Sequence, residues 1–494
     1  MQSALNPIRQ TGSLVVVSNR ASYVFTGNRE QITWKRAVSG LVSAVEPVLN
    51  SFNGTWVAWC GRLNNGHARG MKIAVPAGSP RYTLQEVTLD EEEYNGYYHG
   101  FANSSLWPLA HQMIDKCAFK QEYWQAYRQV NHKFARAVVD SATEESIFWV
   151  HDYHLTIVPQ LIRRRYPQSK IAFFWHIPFP PPDIFGVLPW ARQVLHGLLG
   201  SDLIAFHTRS YLENFLACVK KYFRLQVNLE HGLVWSGNRR IIARAIPVGI
   251  NWQRFEQLAN DPEVKAQARR IRRAAGAEHL LLGIDRLDYT KGISERIKAF
   301  GAFLEKYPQY QGRATLLQVA VPTRNGVEAY ARLKEEVERL VGEINGLYDR
   351  GYGAVPVRYL HRSLNEKELV AHYLAADVLL VTALRDGLNL IAKEFIAART
   401  DGQGVLLLSP FAGAAEELKS AVLANPYNLN QLANRMKVAL EMPPEEKQER
   451  LRTLQQVVKN KDSRWWWQTH LKLIALPQGR LTPEKHIAAN QTAT

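Results

Sequence analysis

The feature that most constrains this chain is a rhythm of short apolar runs, each ending abruptly in polar residues and most followed by a longer helical pattern. The runs are "SLVVVSN" (13–19), "SIFWVHD" (146–152), "IAFFWHI" (171–177), "LIAFHT" (203–208), "HLLLGID" (279–285), "ATLLQVAV" (314–321), "VLLVTA" (378–383) and "GVLLLS" (404–409). The helical partners include "LVSAVEPVLNSF", "LTIVPQLIRRRY" and "ISERIKAFGAFLEKY". Continuously apolar strands alternating with helices predict parallel sheets covered on both faces. There are too many such units for one doubly wound sheet, and 494 residues exceed one ordinary core. The expected fold class is therefore α/β, with two Rossmann-like doubly wound domains facing a cleft. The break falls in "IIARAIPVGINWQRF" (241–255), where Pro247-Val248-Gly249 reads as a hinge. This gives an N-terminal domain over 1–247, a C-terminal domain over 248–459, and a helix over 460–478 packed back on the first. In open α/β sheets ligands sit outside the carboxyl ends of the strands, so charged loops from both halves should meet in the cleft.

Composition narrows the class. At 46% hydrophobic and 21% charged, with 13 Trp and 20 Tyr, the chain reads as soluble and globular. Its apolar runs have strand lengths, too short for a membrane span. "MQSALNPIRQTGS" lacks the basic start and apolar stretch of a signal peptide. Cys60, Cys117 and Cys218 form no CxxC and no even framework, which suits free thiols in a reducing cytoplasm. The net charge of +16 raises the question of nucleic acid or an anionic surface. No nucleic-acid module accompanies it, and the clusters around Arg163–Arg165 and "QARRIRRAAG" (267–276) read as solvated helix faces. Trp465, Trp466 and Trp467 read as packing anchors.

The loops after the strands carry the chemistry. Arg20 follows the first strand, and Ser39-Gly40-Leu41 opens a helix whose start could serve phosphate or be an ordinary turn. In "HDYHL" (151–155), His151, Asp152 and His154 lack a third imidazole or thiolate at metal-ligand spacing. They suit hydrogen bonding to sugar hydroxyls or holding a proton. His176, in the proline-rich "WHIPFPPPDIF" (175–185), sits in a rigid loop suited to placing one polar side chain, or is a core histidine in a turn. In "ALRDGLNLIAKEFIAA" (383–398), a strand ends, Arg385-Asp386-Gly387 turn, and Asn389 begins a helix. The amides of Gly387 through Leu390 make an anion site. Glu394, about a turn and a half later, can accept hydrogen bonds from two adjacent hydroxyls, as a ribose presents. Arg286 and Lys291 end another strand of the same half. Either they pair with Asp285 and Asp288, or they await the charge that grows on a departing diphosphate. The second reading needs no metal.

At these residues the chain resembles retaining glycosyltransferases of the trehalose-6-phosphate synthase type, which have the glycosyltransferase B fold. "VVVSNR", "GYYHGFANSSLWPL", "WVHDYHL", "FFWHIPFP", "IDRLDYTKG", "ALRDGLNLIAKEF" and "LLLSPFAGAAEEL" carry the resemblance, in family order, from residue 14 to about 470. It implies an N-terminal acceptor domain and a C-terminal donor domain. Arg286 and Lys291 would hold the donor diphosphate, Glu394 the ribose, and Asp386 with Gly387, Asn389 and Leu390 the glucose and phosphates, with Gly40 facing them. Asp152 and His176 would contact the sugars at the reacting centre. Arg20, Tyr98, Trp107 and Arg324 would hold the acceptor phosphate. The implied reaction moves glucose from UDP-, ADP- or GDP-glucose to glucose 6-phosphate with retention, by front-side attack within one ion pair. It requires no enzyme nucleophile, no cofactor and no metal, and implies a cytoplasmic enzyme of trehalose biosynthesis and osmoprotection.

This chain has Ser39-Gly40 where many members have two glycines, its own version of the loop "ASYVFTGNREQITWKRA" (21–37), and Asn325-Gly326 where many have Gly-Asp. A related branch uses glycerol 3-phosphate as acceptor; intact "HDYHL" and "HIPFP" favour glucose 6-phosphate. A dehydrogenase would need a GxGxxG that no strand precedes. A glycosidase built on Asp152 and Asp386 would leave Arg286 and Lys291 without purpose. A non-catalytic homologue would be expected to lose cleft residues, and none of the matched set is missing. The donor base and the oligomeric state, monomer or homo-oligomer, leave no letter in the sequence.

Overall fold

The computed structural model describes residues 13–26, 33–36, 40–63, 70–76, 81–324 and 327–476. Most of the loop 27–39, Ser39 included, the pair Asn325-Gly326 and the start "MQSALNPIRQTG" lie outside the described residues.

Among the described residues eighteen strands form three sheets. In chain order the first twelve are β1 (Leu14–Arg20), β2 (Tyr23–Thr26), β3 (Thr33–Arg36), β4 (Thr55–Trp59), β5 (Lys72–Val75), β6 (Tyr82–Glu86), β7 (Ile147–His151), β8 (Lys170–Phe174), β9 (Leu203–Phe206), β10 (Gln226–Asn228), β11 (Leu233–Ser236) and β12 (Arg239–Ala245). The remaining six are β13 (His279–Arg286), β14 (Ala314–Val321), β15 (Val357–Leu360), β16 (Val378–Val381), β17 (Val405–Leu408) and β18 (Val422–Leu423). Four helices matter below: α1 (Gly40–Phe52), α2 (Glu366–Ala375), α3 (Leu390–Ala398) and α4 (Ser463–Ala475).

The larger sheet runs β10-β11-β12-β9-β8-β7-β1-β4-β6-β5, with β5, β10 and β11 antiparallel at its edges and the rest parallel. The smaller sheet, β15-β14-β13-β16-β17-β18, is parallel throughout. β2 and β3 form a separate hairpin. All eight apolar runs are strands, which is the expected two-sheet α/β fold. The strands that periodicity did not single out are mostly edge or half-exposed ones, such as β5 and β10, where no continuous apolar run is needed.

Both large sheets are doubly wound, and each reverses direction beside its first strand. The chain steps β1-β4-β6 one way and β7-β8-β9 the other, then β13-β14-β15 one way and β16-β17-β18 the other. The crevices at such reversals are where open sheets bind ligands. β1 and β13 follow one burial logic: both are buried along their length and end in an exposed arginine, Arg20 and Arg286.

The segment read as a hinge is not a solvated linker. Residues 246–250 are buried, and a side chain at Gly249 would strike the backbone of Asp462, 2.1 Å from its carbonyl carbon. The Lys393 ammonium donates to the Val248 carbonyl at 2.9 Å. α4 packs against α1 and β8, with Trp466 fully buried beside Trp149 at 4.9 Å between ring centroids. One basic cluster also departs from expectation. Arg164 and Arg165 are exposed, but Arg163 is buried and donates to Asp202 Oδ2 at 2.7 Å and to the carbonyls of Pro167, Ser169 and Gly200. It ties a helix to the sheet rather than meeting solvent. Among the described residues no helix is long and apolar enough to cross a membrane, and the three cysteines are free.

Candidate functional site

A cavity of about 520 Å³ lies where the two reversals face each other. Of the residues singled out from sequence, Arg20, Tyr98, Trp107, Asp152, His176, Arg286, Lys291, Arg324, Asp386, Asn389, Leu390 and Glu394 line it. Gly40 and Gly387 do not. Gly40 opens α1 as expected, but the lining residue there is Leu41. Gly387 is wedged where the halves touch: a Cβ there would stand 2.4 Å from the His176 carbonyl oxygen, and one at Gly413 would stand 2.1 Å from the Gly387 carbonyl oxygen. Only glycine permits that approach.

The wall from the smaller sheet is built of ion pairs. Lys291 donates to Asp386 Oδ2 at 2.6 Å, and Asn389 Nδ2 donates to the same oxygen at 3.1 Å. Burial pushes the Asp386 carboxyl up, but Lys291 and Asn389 outweigh it and hold the group below its ordinary value. Neither cation pairs with the carboxylates beside it in sequence. Asp285 is taken by Arg296 at 2.6 Å, and Asp288 by Arg324 at 3.0 Å. Against the burial that would raise it, Asp288 is held down to about 2 by Arg324, Arg286 and Lys291. The Arg286 side chain makes no ion pair or hydrogen bond among the described residues; its guanidinium lies over the Trp107 ring at 5.3 Å. Among the described residues no carboxylate contacts its guanidinium directly, though its field helps hold Asp288 down.

α3 completes this wall. Asn389 (φ 81°) caps it, accepting from the Ala392 amide at 3.2 Å, and the first-turn residues Leu390 and Ile391 line the cavity. A helix start leaves such amides open to an acceptor. Glu394 lines the cavity one turn on, and Tyr373 donates to its Oε2 at 2.9 Å. Burial raises the Glu394 carboxyl to about 7.

The opposite wall is aromatic. Residues Asn95–Leu106 form a π-helical stretch in which the side chains of Asn103 and Ser104 donate, each at 2.7 Å, to carbonyls five residues back. Widened turns of this kind recur at functional sites. This one aims Tyr98 and Trp107 at the cavity. Tyr98 stacks between Tyr94 (5.1 Å) and His154 (5.8 Å), and Arg20 lies over the rings of Trp59 (4.2 Å) and Tyr98 (5.2 Å). Burial pushes the Tyr98 phenol up, but Arg324, Arg20 and Arg286 together bring it below its ordinary value. Arg324 reaches this wall from the other half: it lies 4.0 Å from the Trp107 ring, and its Nη2 donates to the Tyr153 hydroxyl at 3.5 Å. It is not a free clamp, since Asp288 already balances its charge.

His176 and Asp152 line the cavity just past the ends of β8 and β7. His176 Nε2 lies 3.1 Å from His151 Nδ1, and burial lowers the His176 imidazole to about 4, so it is neutral at ordinary pH. Asp152 accepts from the Tyr153 amide at 2.9 Å and has φ 77°, ψ 162°. Of the five described non-glycine residues with positive φ, Asp152, Arg324 and Asn389 line this cavity, so backbone strain concentrates here. His151 and His154 face different partners, His176 and Asp152, rather than one point. Sequence reasoning passed over His207, which lines the cavity and whose Nε2 donates to the His176 carbonyl at 3.1 Å; its position at the end of "LIAFHT" was the available signal.

Two doubly wound sheets whose reversals face each other across a cation-lined cleft define a glycosyltransferase of the B fold. Residues 12–475 match the glycosyltransferase family 20 model, and the chain belongs to that family. It is 38% identical to the trehalose-6-phosphate synthase of Mycolicibacterium smegmatis over 96% of this chain and 94% of that one. At the same identity it spans 65% of the longer bifunctional trehalose-6-phosphate synthase/phosphatase of Thermoproteus tenax, with 96% of this chain covered. Among solved structures, a UDP-forming α,α-trehalose-phosphate synthase from Burkholderia xenovorans in complex with glucose-6-phosphate superposes with a TM-score of 0.86 at 30% identity, covering 94% of this chain and 100% of that one. A structure described as trehalose-6-phosphate from E. coli bound with UDP-2-fluoro glucose gives a TM-score of 0.86 at 32% identity, again over 94% and 100%.

Proposed function

We propose that the protein transfers glucose from a nucleotide-glucose to glucose 6-phosphate, with retention, giving trehalose 6-phosphate. The observation that carries this reading is the pair of walls around one cavity: a phosphate-grade wall holding unpaired Arg286 and the start of α3, and an aromatic wall bearing Arg20. Relatives that are synthases of trehalose 6-phosphate, one solved with glucose-6-phosphate, support it.

Arg286, Lys291 and the first amides of α3 take the donor diphosphate, Glu394 takes the ribose, and Asp386 with Asn389 frames the glucose. Arg20, Tyr98, Trp107 and Arg324 take the acceptor phosphate. As the bond from the sugar C1 to the phosphate oxygen breaks, negative charge grows on the diphosphate and the fixed cations stabilise it. The acceptor hydroxyl forms the new bond to C1 on the face the phosphate leaves, and its proton passes to the departing phosphate oxygen. Both nearby carboxylates are already engaged by protein donors. Asp386 Oδ2 already accepts from Lys291 and Asn389, and Asp152 from the Tyr153 amide. Neutral His176 and ionised Asp152 accept hydrogen bonds from sugar hydroxyls.

The test offers glucose 6-phosphate and glycerol 3-phosphate, each with UDP-, ADP- and GDP-glucose, and identifies products by mass and anomeric configuration. Trehalose 6-phosphate from one donor is expected. A glycerol product formed faster would move the chain to the other branch, and no product at all would sink the transferase reading. Activity should also survive exhaustive chelation, because the cations that meet the diphosphate are side chains; loss on chelation with rescue by one divalent ion would refute that.

A further inference from the structure

One hydrogen bond beside the cavity has no place in the mechanism above. Tyr373, on α2, is fully buried, and its hydroxyl donates to Glu394 Oε2 at 2.9 Å. The other carboxylate oxygen, Oε1, has no partner among the described residues, and Glu394 lines the cavity. One oxygen is therefore held from behind while the other is left for a ligand.

The tyrosine is itself seated firmly. Its ring meets Phe395 edge-on, with centroids 6.0 Å apart and planes at 84°. Its backbone carbonyl accepts from buried Arg399 at 2.6 Å, and the same guanidinium reaches the carbonyls of Leu374 and Ala376. Phe395 and Arg399 belong to α3 and its C-terminal cap. The phenol and the carboxylate thus sit on two helices locked to each other, which leaves the hydroxyl little freedom to turn elsewhere. A glutamate whose three side-chain torsions are unpinned loses entropy when it binds, and a fixed donor on one oxygen removes that loss beforehand.

We propose that Tyr373 is a positioning residue for the donor: by holding Oε2 of Glu394 it turns Oε1 toward the two ribose hydroxyls. The inference rests on the donor reading of this cavity. A purely structural tyrosine would show the same burial, so the test must read the ligand rather than the fold.

Tyr373→Phe keeps the ring and removes only the hydroxyl. Binding of UDP, ADP and GDP to the wild type by calorimetry first identifies the nucleotide. For that nucleotide, Tyr373→Phe should weaken binding about five- to tenfold, the cost of ordering one unpinned glutamate side chain on binding. The nucleotide-glucose KM should rise similarly while kcat at saturation stays unchanged. Against the 2′,3′-dideoxy nucleotide diphosphate the variant should bind as the wild type does. In the background of Glu394→Ala, Tyr373→Phe should add nothing further. The pH profile gives a second readout. The groups facing Glu394 are Tyr373 and, at longer range, Glu366 of α2, which itself pairs with Arg254. Removing the hydroxyl takes away the donor that favours the ionised form, so the acid-side loss of affinity should move to higher pH. Unchanged affinity and an unchanged profile in folded Tyr373→Phe would overturn the inference alone. Failure of the wild type to bind any of the three nucleotides would overturn the donor reading and this inference with it.

Discussion

The two walls of the cleft face a similar task, recognition of a phosphorylated sugar, with different materials. The smaller-sheet wall is a set of nearly closed charge pairs, Lys291 with Asp386, Arg324 with Asp288 and Arg296 with Asp285, from which Arg286 is left over. The larger-sheet wall carries Arg20 on aromatic faces, and its other polar groups include imidazoles kept neutral by burial, His154 and His176 among them. Buried pairs are rigid because breaking one strands a charge in a poor solvent. An aromatic surface tolerates rotation and suits the apolar face of a sugar ring. The contrast is one of support: the smaller-sheet wall fixes most of its charge in buried pairs, whereas the larger-sheet wall rests Arg20 on aromatic rings.

The largest expected effect breaks the stiff wall. Lys291→Ala should lower kcat on the order of 10²-fold or more, with a smaller change in donor KM, because the contact strengthens as the bond breaks. The variant also leaves Asp386 with Asn389 alone, so cooperative unfolding should be recorded beside the rate. Near-normal kcat in a folded protein would make Lys291 a structural partner of Asp386 and nothing more.

Next comes the softer wall. Arg20→Ala should raise the KM for glucose 6-phosphate about ten- to a hundredfold, from a charge-assisted contact of about 1.5–3 kcal/mol. Donor binding by calorimetry should hardly change. Arg324→Ala is the sharper comparison, since Arg324 touches both walls. It should weaken the acceptor by a similar factor and also destabilise the fold by about 3–5 kcal/mol, because Asp288 is left buried without its partner. An Arg324→Ala protein as stable as the wild type would contradict the pairing. One that loses nucleotide binding would move Arg324 to the donor side.

How much of this could be read from the letters follows from what each feature depends on. β1 and β13 were legible because a buried strand must be apolar along its length, and the arginine at each end stands out for its cost. The start of α3 was legible because turn and cap residues are local chemistry. The pairings were not. Lys291 and Asp386 are separated by 95 residues, and only the register of β13 beside β16 brings them together. Sequence neighbours suggested Asp285 and Asp288, yet those carboxylates were taken by Arg296, one helical face away, and by Arg324 from the next strand's end. Tyr373 and His207 were silent for the same reason, since a tyrosine in a helix and a histidine after a strand look ordinary until their neighbours are known. The π-helical stretch has no periodicity to betray it.

The smallest expected effect separates the walls by pH. Burial lowers the imidazoles of His176 and His111 to about 4 and that of His470 to about 3, from 6.5. Each has a folded value below its unfolded one, so its contribution to stability is complete above pH 6.5 and drains away as pH falls toward 4. Asp288, held at about 2 against 3.8, contributes fully above about pH 3.8 and fails only below it. Glu394 has the opposite sign. Raised from 4.5 to about 7, its contribution is complete below 4.5 and lost as pH rises through 7, so it partly offsets the histidines across the same interval. Three imidazoles against one carboxyl leave a net fall in the unfolding midpoint on acidification from pH 6.5 to 4, before Asp288 protonates. Scanning calorimetry at half-unit steps should find His470→Leu less sensitive over this window and Glu394→Gln more sensitive. A midpoint flat from 6.5 to 4 and falling only below 3.8 would mean that the carboxylate wall alone governs acid stability, and the contrast drawn between the two walls would then be one of geometry without a consequence for protonation.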